Sequence, residues 1–298
     1  MTSSSVLVPD NIVEAIAGAN VASYDADGFP TGDVSSIRFY VPPYMGAGAG
    51  FEVMARMPAL EVCQLPTAGF DHVRAYLPAG VTLCNAAGVH DASTAELAVG
   101  LILASLRGID GFARAMPAGE WRHDARPALA DRRVLVVGAG GIGRALARRL
   151  HGFECDVLLV GRTARDTVRG ADELDGLLPT ADVVVLAVPL DESTRGLVDA
   201  AFLARMRDGA LLVNVSRGQV VVTEALAAEV ASGRLQAALD VVDPEPLPVD
   251  HALWRTPGVL ISPHVGGNST AFLPRIRRLV AEQVERWRRG EHLANVVS

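Results

Sequence analysis

The stretch RVLVVGAGGIGRALARRL, residues 133–150, decides how the rest of the chain is read. An apolar run, Val134–Val137, stops at Gly138, and a run of helix formers begins at Ile142. Between them Gly138, Gly140 and Gly143 stand in G-x-G-x-x-G spacing. The string alone is weak, but between a strand and a helix it describes a phosphate loop. Gly138 permits the tight turn, Gly140 lets backbone approach a pyrophosphate, and Gly143 lets helix and strand pack closely. The helix N-terminus then points free N–H groups at the phosphates.

Working outward, further apolar runs follow at Val157–Val160, Val183–Val188, Leu211–Val215, Ala237–Val242 and Val259–Ser262. Runs of this kind are strands covered on both faces. An earlier series lies at Val6–Val8, Ile37–Val41, Leu60–Leu65 and Val81–Cys84, with helical patterns at Asn11–Ala17 and Asp71–Leu77. The alternation predicts an α/β protein with parallel sheets and crossover helices. Between the two series, Ser93 and Glu96 form a capping box for a helix over Asp91–Arg107. Its Leu97–Leu106 segment is apolar nearly all round, so it is expected in the domain interface or against a second subunit. The last helix, Thr270–Arg289, has Leu273, Ile276, Leu279, Val280, Val284 and Trp287 at helical spacing and its arginines on a solvated face. No strand follows it, so it is expected to return to the first domain. The expected domains are residues 1–88 with 269–298, and residues 89–268.

The 298 residues are 50% hydrophobic and 20% charged, which excludes disorder and fits two domains. The densest apolar stretch, Leu97–Leu106, is too short for a membrane span. The start, MTSSSVLVPDN, has no basic region and no long apolar run, so a cytoplasmic protein is expected. A net charge of −7 argues against nucleic acid as a partner. All 27 Lys+Arg residues are arginine. Schiff-base chemistry, pyridoxal phosphate attachment and a P-loop lysine are thereby excluded. Cys63, Cys84 and Cys155 are widely spaced and lie in apolar stretches, so they are expected buried and reduced, with no disulfide and no metal site.

A site for NAD wants a carboxylate about 20 residues beyond the glycines, on the ribose hydroxyls. This chain instead reads Val160-Gly161-Arg162-Thr163-Ala164-Arg165 there. Two arginines and a threonine can clamp a 2′-phosphate through charge-assisted hydrogen bonds, so NADP(H) is favoured over NAD(H). Three later strands each end in polar residues: LLVNVSRGQVV with Arg217, AALDVVDPEPLP with Asp240 and Glu245, and VLISPHVGG with His264. Ligands bind at that carboxyl edge of an open α/β sheet.

These residues resemble the D-isomer-specific 2-hydroxyacid dehydrogenase family over nearly the whole chain. GAGGIG, Val188-Pro189, NVSRG, LDVVDPEP and SPHVGG occur in the family's order and spacing. The resemblance implies a flavodoxin-like substrate domain and a doubly wound dinucleotide-binding domain. It places the catalytic arginine, glutamate and histidine on Arg217, Glu245 and His264, and the nicotinamide-amide partner on Asp240. The cofactor contacts it implies also include Gly141, Ile142, Val188, Pro189, Thr194, Val215, Ser216 and Gly266, beside Arg162, Thr163 and Arg165. The carboxylate-binding loop looks like Leu65-Pro66-Thr67-Ala68-Gly69-Phe70-Asp71, with Ala68 and Gly69 supplying N–H groups. G-R-x-x-R after the second strand is similar to the NADP-preferring glyoxylate/hydroxypyruvate reductases. The family forms dimers through the helix that Asp91–Arg107 matches, so a homodimer is expected.

The chemistry agrees with the resemblance. Reducing a 2-oxoacid needs a hydride on carbon and a proton on oxygen. An imidazole titrates near neutrality, which suits His264 as proton donor, with Glu245 holding the other ring nitrogen. The fork of Arg217 can bridge carboxylate and carbonyl oxygen. Tyr40, Tyr44 and Leu65 are expected to face the substrate side chain, while His90 is expected to be structural. Hinges are expected at Gly88–His90 and Gly266–Asn268. The alternatives are phosphite oxidation, which uses a related Arg/Glu/His set, and a dinucleotide-sensing corepressor-like scaffold. A glutamate rather than glutamine at Glu245 speaks against formate oxidation.

Overall fold

Residues 5–297, apart from 19 and 47, are described by the computed structural model; Met1–Ser4, at the start of the sequence read for a leader, lie outside them. Two compact units emerge, Met1–His90 with Thr270–Ser298, and Asp91–Ser269.

In the first unit, β1 (Val6–Pro9), β2 (Val21–Tyr24), β3 (Phe39–Tyr40), β4 (Val62–Gln64) and β5 (Thr82–Cys84) form one sheet in the order β2-β1-β3-β4-β5. All four pairings are parallel, which gives the flavodoxin-like order. β2, the sequence VASY, was not among the expected strands; it is an edge strand, largely half-buried, without a continuous apolar run. The helix Phe272–Arg288 packs Ile276, Val280 and Val284 into the cluster of Val6, Val8, Phe39 and Val41. Two expected helices are shorter. Asn11–Ala17 reduces to one turn, Asp10–Val13, with Gly18 at φ +95° beyond it. Asp71–Leu77 yields only the 3₁₀ turn Arg74–Tyr76, because Pro78 follows at once and a helix nucleus is costly in so short a window. Cys63 and Cys84 are buried free thiols and Cys155 is a half-buried one. Burial pushes the Cys84 thiol up to about 11.

In the second unit, β6 (Arg133–Val137), β7 (Asp156–Val160), β8 (Val168–Arg169), β9 (Val183–Leu186), β10 (Leu211–Asn214), β11 (Gln236–Leu239) and β12 (Val259–Ile261) form a parallel sheet. Its order is β12-β11-β10-β9-β6-β7-β8. The order reverses between β6 and β9, and that switch point is where a doubly wound sheet opens a crevice for ligand. One face packs Leu135, Leu186, Leu212 and Leu239 among buried neighbours, and the other packs Val134, Val136, Val185 and Val213.

The helix Asp91–Arg107 corrects the expected capping box. It starts at Asp91, so Ser93 lies inside the first turn rather than at the cap. Ser93 Oγ meets Ser269 Oγ at 2.5 Å, and Glu96 pairs with Arg149 at 3.0 Å, so no capping box forms. Its buried face (Ala95, Ala98, Leu101, Ile102 and Leu106) rests on its own unit's sheet, while Leu97, Val99 and Leu103 stay half-buried. Among the described residues, no single helix is long and apolar enough to cross a membrane.

Candidate active site

The phosphate loop leaves β6 at Gly138, whose φ of +121° suits glycine alone. A Cβ there would collide with the Ala187 carbonyl, and one at Gly143 with the Gly138 carbonyl, so turn and helix fit only as glycine. Gly140 is different: it is exposed, and the space a Cβ would fill is open. It precedes the ten-residue helix Gly141–Leu150, which has no acidic residue in its first turn. An exposed backbone at the start of such a helix fits a pyrophosphate. One charge is discordant, since the Asp91 carboxylate stands over Gly141.

Beyond β7, Arg162, Thr163 and Arg165 are all exposed. Arg162 reaches Asp191 at 2.9 Å. The hydrogen bond from the Ser193 hydroxyl lowers the Asp191 carboxyl and burial opposes it; the Ser193 N–H, the Arg162 charge and Thr194 add to the first effect and leave the group below its ordinary range. The chain after β9 exposes Pro189 and half-buries Val188, beside the switch point. Thr194 differs from expectation: it is 9% exposed, its hydroxyl donates to Pro189 O at 2.6 Å, and it accepts from Asp191 N–H. Its place is to hold this turn. Val215 and Ser216 are likewise buried, and the Ser216 hydroxyl is spent on Asn214 Oδ1 at 2.7 Å. Either residue can meet a ligand only through its backbone.

Arg217, Asp240 and His264 follow β10, β11 and β12, which are parallel neighbours, so all three stand at one edge of the sheet. Asn214, 1% exposed, donates to Arg217 O at 2.9 Å and accepts from Ser216 N–H, which fixes the turn that carries Arg217. One guanidinium N–H of Arg217 donates to Ser216 O at 2.8 Å. A Cβ at Gly218 would strike the Val242 carbonyl, so this turn lies directly against the chain that leads to Glu245.

The His264 Nδ1 is hydrogen-bonded to a Glu245 carboxylate oxygen. With Nδ1 so engaged, Nε2 is the ring atom left to face a substrate. His264 has φ +53°, a left-handed conformation uncommon for a non-glycine residue. Its backbone N–H is pinned to Asp240 O at 2.8 Å. Asp240 has a structural part that the sequence did not suggest. It is 3% exposed, and its carboxylate accepts from Ser262 Oγ, Val265 N–H and Gly266 N–H at 2.7, 2.9 and 2.9 Å. It therefore organises the loop that carries His264. Asn214 and Asp191 were missed from sequence; a polar residue closing an apolar strand was the available signal for Asn214.

In the first unit, two expectations about the substrate side chain are corrected. Tyr40 is 0% exposed with its hydroxyl on Gly50 O at 2.8 Å, and Leu65 is also 0% exposed, so both side chains are core. Burial pushes the Tyr40 phenol upward. Tyr44 is half-buried and stacks on Phe272 and His90. Ala68 and Gly69 are half-buried on the turn after β4.

A parallel sheet with this order, a glycine phosphate loop at its switch point and a His–carboxylate pair with an arginine at its edge define a dinucleotide-dependent oxidoreductase. Residues 99–266 match the family described as D-isomer specific 2-hydroxyacid dehydrogenase, NAD binding domain. The chain belongs to this family, and it is an NAD(P)-dependent enzyme that transfers a hydride between its cofactor and a 2-oxoacid/2-hydroxyacid pair. A glyoxylate reductase of Thermofilum pendens is 33% identical over 257 residues, 80% of this chain and 75% of the relative. A D-isomer specific 2-hydroxyacid dehydrogenase from Xanthobacter autotrophicus Py2, solved with NADPH and MES, is 30% identical with a TM-score of 0.84 over 100% of this chain and 98% of that one. An NADPH-dependent glyoxylate/hydroxypyruvate reductase from Sinorhizobium meliloti, solved with NADP and sulfate, is 27% identical with a TM-score of 0.85 over 99% and 98%.

Proposed function

We propose that this chain is an NADPH-preferring reductase of small 2-oxoacids such as glyoxylate or hydroxypyruvate, with Arg217, Glu245 and His264 as its catalytic residues. The observation that carries the reading is the Glu245–His264 pair at the sheet edge that also bears Arg217. When bound, the nicotinamide supplies the hydride. Glu245 holds the ring of His264 through Nδ1, so that Nε2 presents its proton to the carbonyl oxygen. Arg217, held at Ser216 O, presents its guanidinium to the carboxylate and the carbonyl oxygen, which orients the substrate and polarises the bond to be reduced. Arg162, Thr163 and Arg165 take the 2′-phosphate; the glyoxylate/hydroxypyruvate reductase of Sinorhizobium meliloti carries NADP.

In this reading residues 89–268 form the dinucleotide-binding domain, and residues 1–88 with 269–298 form the substrate domain, whose Ala68 and Gly69 N–H groups receive the carboxylate. The enzyme works in the cytoplasm as a homodimer built through the helix Asp91–Arg107. The test is loss of absorbance at the NADPH maximum with glyoxylate, hydroxypyruvate, pyruvate and a bulkier 2-oxoacid, repeated with NADH. Turnover with NADPH well above NADH is expected. Cofactor binding without turnover on any oxoacid would turn attention to phosphite oxidation or to a sensing scaffold.

A further inference from the structure

The turn after β4 has an unusual polarity. All five carbonyls from Leu65 to Gly69 are engaged within the first unit. Leu65 O accepts from Gln64 Nε2 at 2.9 Å and Pro66 O from His90 Nε2 at 2.9 Å. Thr67 O accepts from Ala86 N–H at 2.8 Å, Ala68 O from Asn85 Nδ2 at 2.7 Å, and Gly69 O from Thr67 Oγ1 at 2.8 Å. Among the described residues, the N–H groups of Thr67, Ala68 and Gly69 donate to no protein acceptor. Every oxygen end of these peptide dipoles is tied down, and successive nitrogen ends are left over, which is the electrostatics of an anion nest.

Three of the donors, Gln64, Asn85 and His90, are buried side chains, and the last two hold the carbonyls of Ala68 and Pro66 in fixed settings. Asn85 is 8% exposed. Its N–H donates to Asn295 O at 3.0 Å and its Oδ1 accepts from Ala87 N–H at 3.2 Å, so its amide is oriented with Nδ2 toward Ala68. His90 is 6% exposed, and its ring lies within 5.7 Å of the Tyr44 ring and 5.3 Å of the Phe272 ring, centroid to centroid. Packed against this stacked pair, the imidazole keeps Nε2 on Pro66 O. A carbonyl turned outward here would face a substrate anion with its negative end, and these two donors oppose that rotation.

We propose that Asn85 and His90 are positioning residues for the oxidoreductase reaction, holding the Thr67–Gly69 N–H groups in the orientation that receives the 2-oxoacid carboxylate. The inference rests on the reading of that turn as the carboxylate-binding element. Neither residue touches the reacting atoms, so their loss removes binding shared by ground and transition states, which raises KM and spares kcat.

The experiment compares His90→Leu, His90→Gln, Asn85→Ala and Ala68→Pro, with glyoxylate and NADPH as probes and Tm as a control for folding. His90→Leu and Asn85→Ala are expected to raise the glyoxylate KM about tenfold, equivalent to about 1.4 kcal/mol, with kcat and the NADPH Kd little changed. His90→Gln keeps an N–H donor near Nε2 and is expected to recover most of the loss. Unchanged KM in both His90→Leu and Asn85→Ala, or no rescue by His90→Gln, overturns the proposal. Ala68→Pro deletes one of the N–H groups and tests the turn itself. Raised KM there with wild-type KM in the other variants leaves the carboxylate reading standing and removes only the positioning role. Unchanged KM in folded Ala68→Pro removes both.

Discussion

His264 takes a backbone conformation that few residues other than glycine adopt. Its φ of +53° lies in the left-handed region, which is uncommon for a residue that carries a Cβ. The compensation is local, through His264 N–H on Asp240 O and the Asp240 carboxylate on Ser262, Val265 and Gly266. In Asp240→Asn the amide nitrogen must oppose an N–H or a hydroxyl, whichever way it turns. We expect that variant to lose about 1–3 kcal/mol of stability by chemical denaturation and to lose turnover with it, while Glu245 and His264 remain present. His264→Gln is expected to cost about 10²–10⁴-fold in turnover with the dinucleotide Kd unchanged, as for loss of a general acid; wild-type turnover would remove His264 from the proton step. Arg217, Glu245 and His264 are legible because each is a polar residue after an apolar run, in a sheet whose carboxyl edge binds ligand. The structural duties of Asp240, Asn214 and Thr194 are not, because a sequence does not say which N–H groups a side-chain oxygen will face. Tyr40 and Leu65 mislead for a related reason: their position beside a loop says nothing of the direction in which strand alternation points them.

At the scale of elements, long runs buried on both faces are read with little error, and short or half-exposed pieces are not. β6, β9 and β10 are nearly continuous Val and Leu, and their ends shift by a residue or two. β2 and the two-residue β8 lack that pattern and owe their pairing to a neighbouring strand. The packing between elements is also hidden from composition. Gly218 is an ordinary turn residue in NVSRG, yet the Val242 carbonyl occupies the place of its Cβ. Gly218→Ala must therefore push the Arg217 turn away from the segment leading to Glu245. Loss of Tm together with a raised oxoacid KM is the expected result, and a wild-type KM would show that the two turns can part without consequence. Asp91 makes the opposite kind of case. Its carboxylate lies over Gly141 at the start of the helix Gly141–Leu150, where negative charge competes with a diphosphate for the positive end of the helix. Asp91→Asn keeps the shape and removes the charge. The dinucleotide Kd is expected to fall several-fold at low salt, by an amount that shrinks as ionic strength rises; weaker binding would assign Asp91 to holding the loop instead.

At the scale of the molecule, the first unit is assembled from the two ends of the chain, and Glu61 is one of its clasps. It accepts from Arg38 at 2.5 Å and from Trp287 Nε1 at 2.9 Å, joining the approach to β4 to the helix Phe272–Arg288. Burial raises the Glu61 carboxyl, but the hydrogen bonds from Arg38 and Trp287 and the Arg38 charge outweigh it and leave it below its ordinary value. A carboxyl depressed by folding stabilises the fold above its unfolded value, about 4.3, and that contribution disappears as pH falls through the folded value. Tm of wild type and Glu61→Gln should therefore differ near neutrality and converge in acid; a constant gap across the titration would mean that the shape of the side chain, and not its charge, makes the clasp. The remaining exposed apolar surface bears on assembly. Trp121 is 94% exposed, Met116 76% and Ile109 51%, on the segment that follows the helix Asp91–Arg107, whose Leu97 and Leu103 are only half-buried. So much large apolar side chain on one run of sequence is costly to leave in water. A second copy of the chain would cover it. Light scattering is expected to return twice the 31.3 kDa of one chain, and Leu103→Glu to return it to one. A monomeric wild type would leave Trp121 and Met116 facing solvent and would remove the homodimer from the proposed function without touching the chemistry at Arg217, Glu245 and His264.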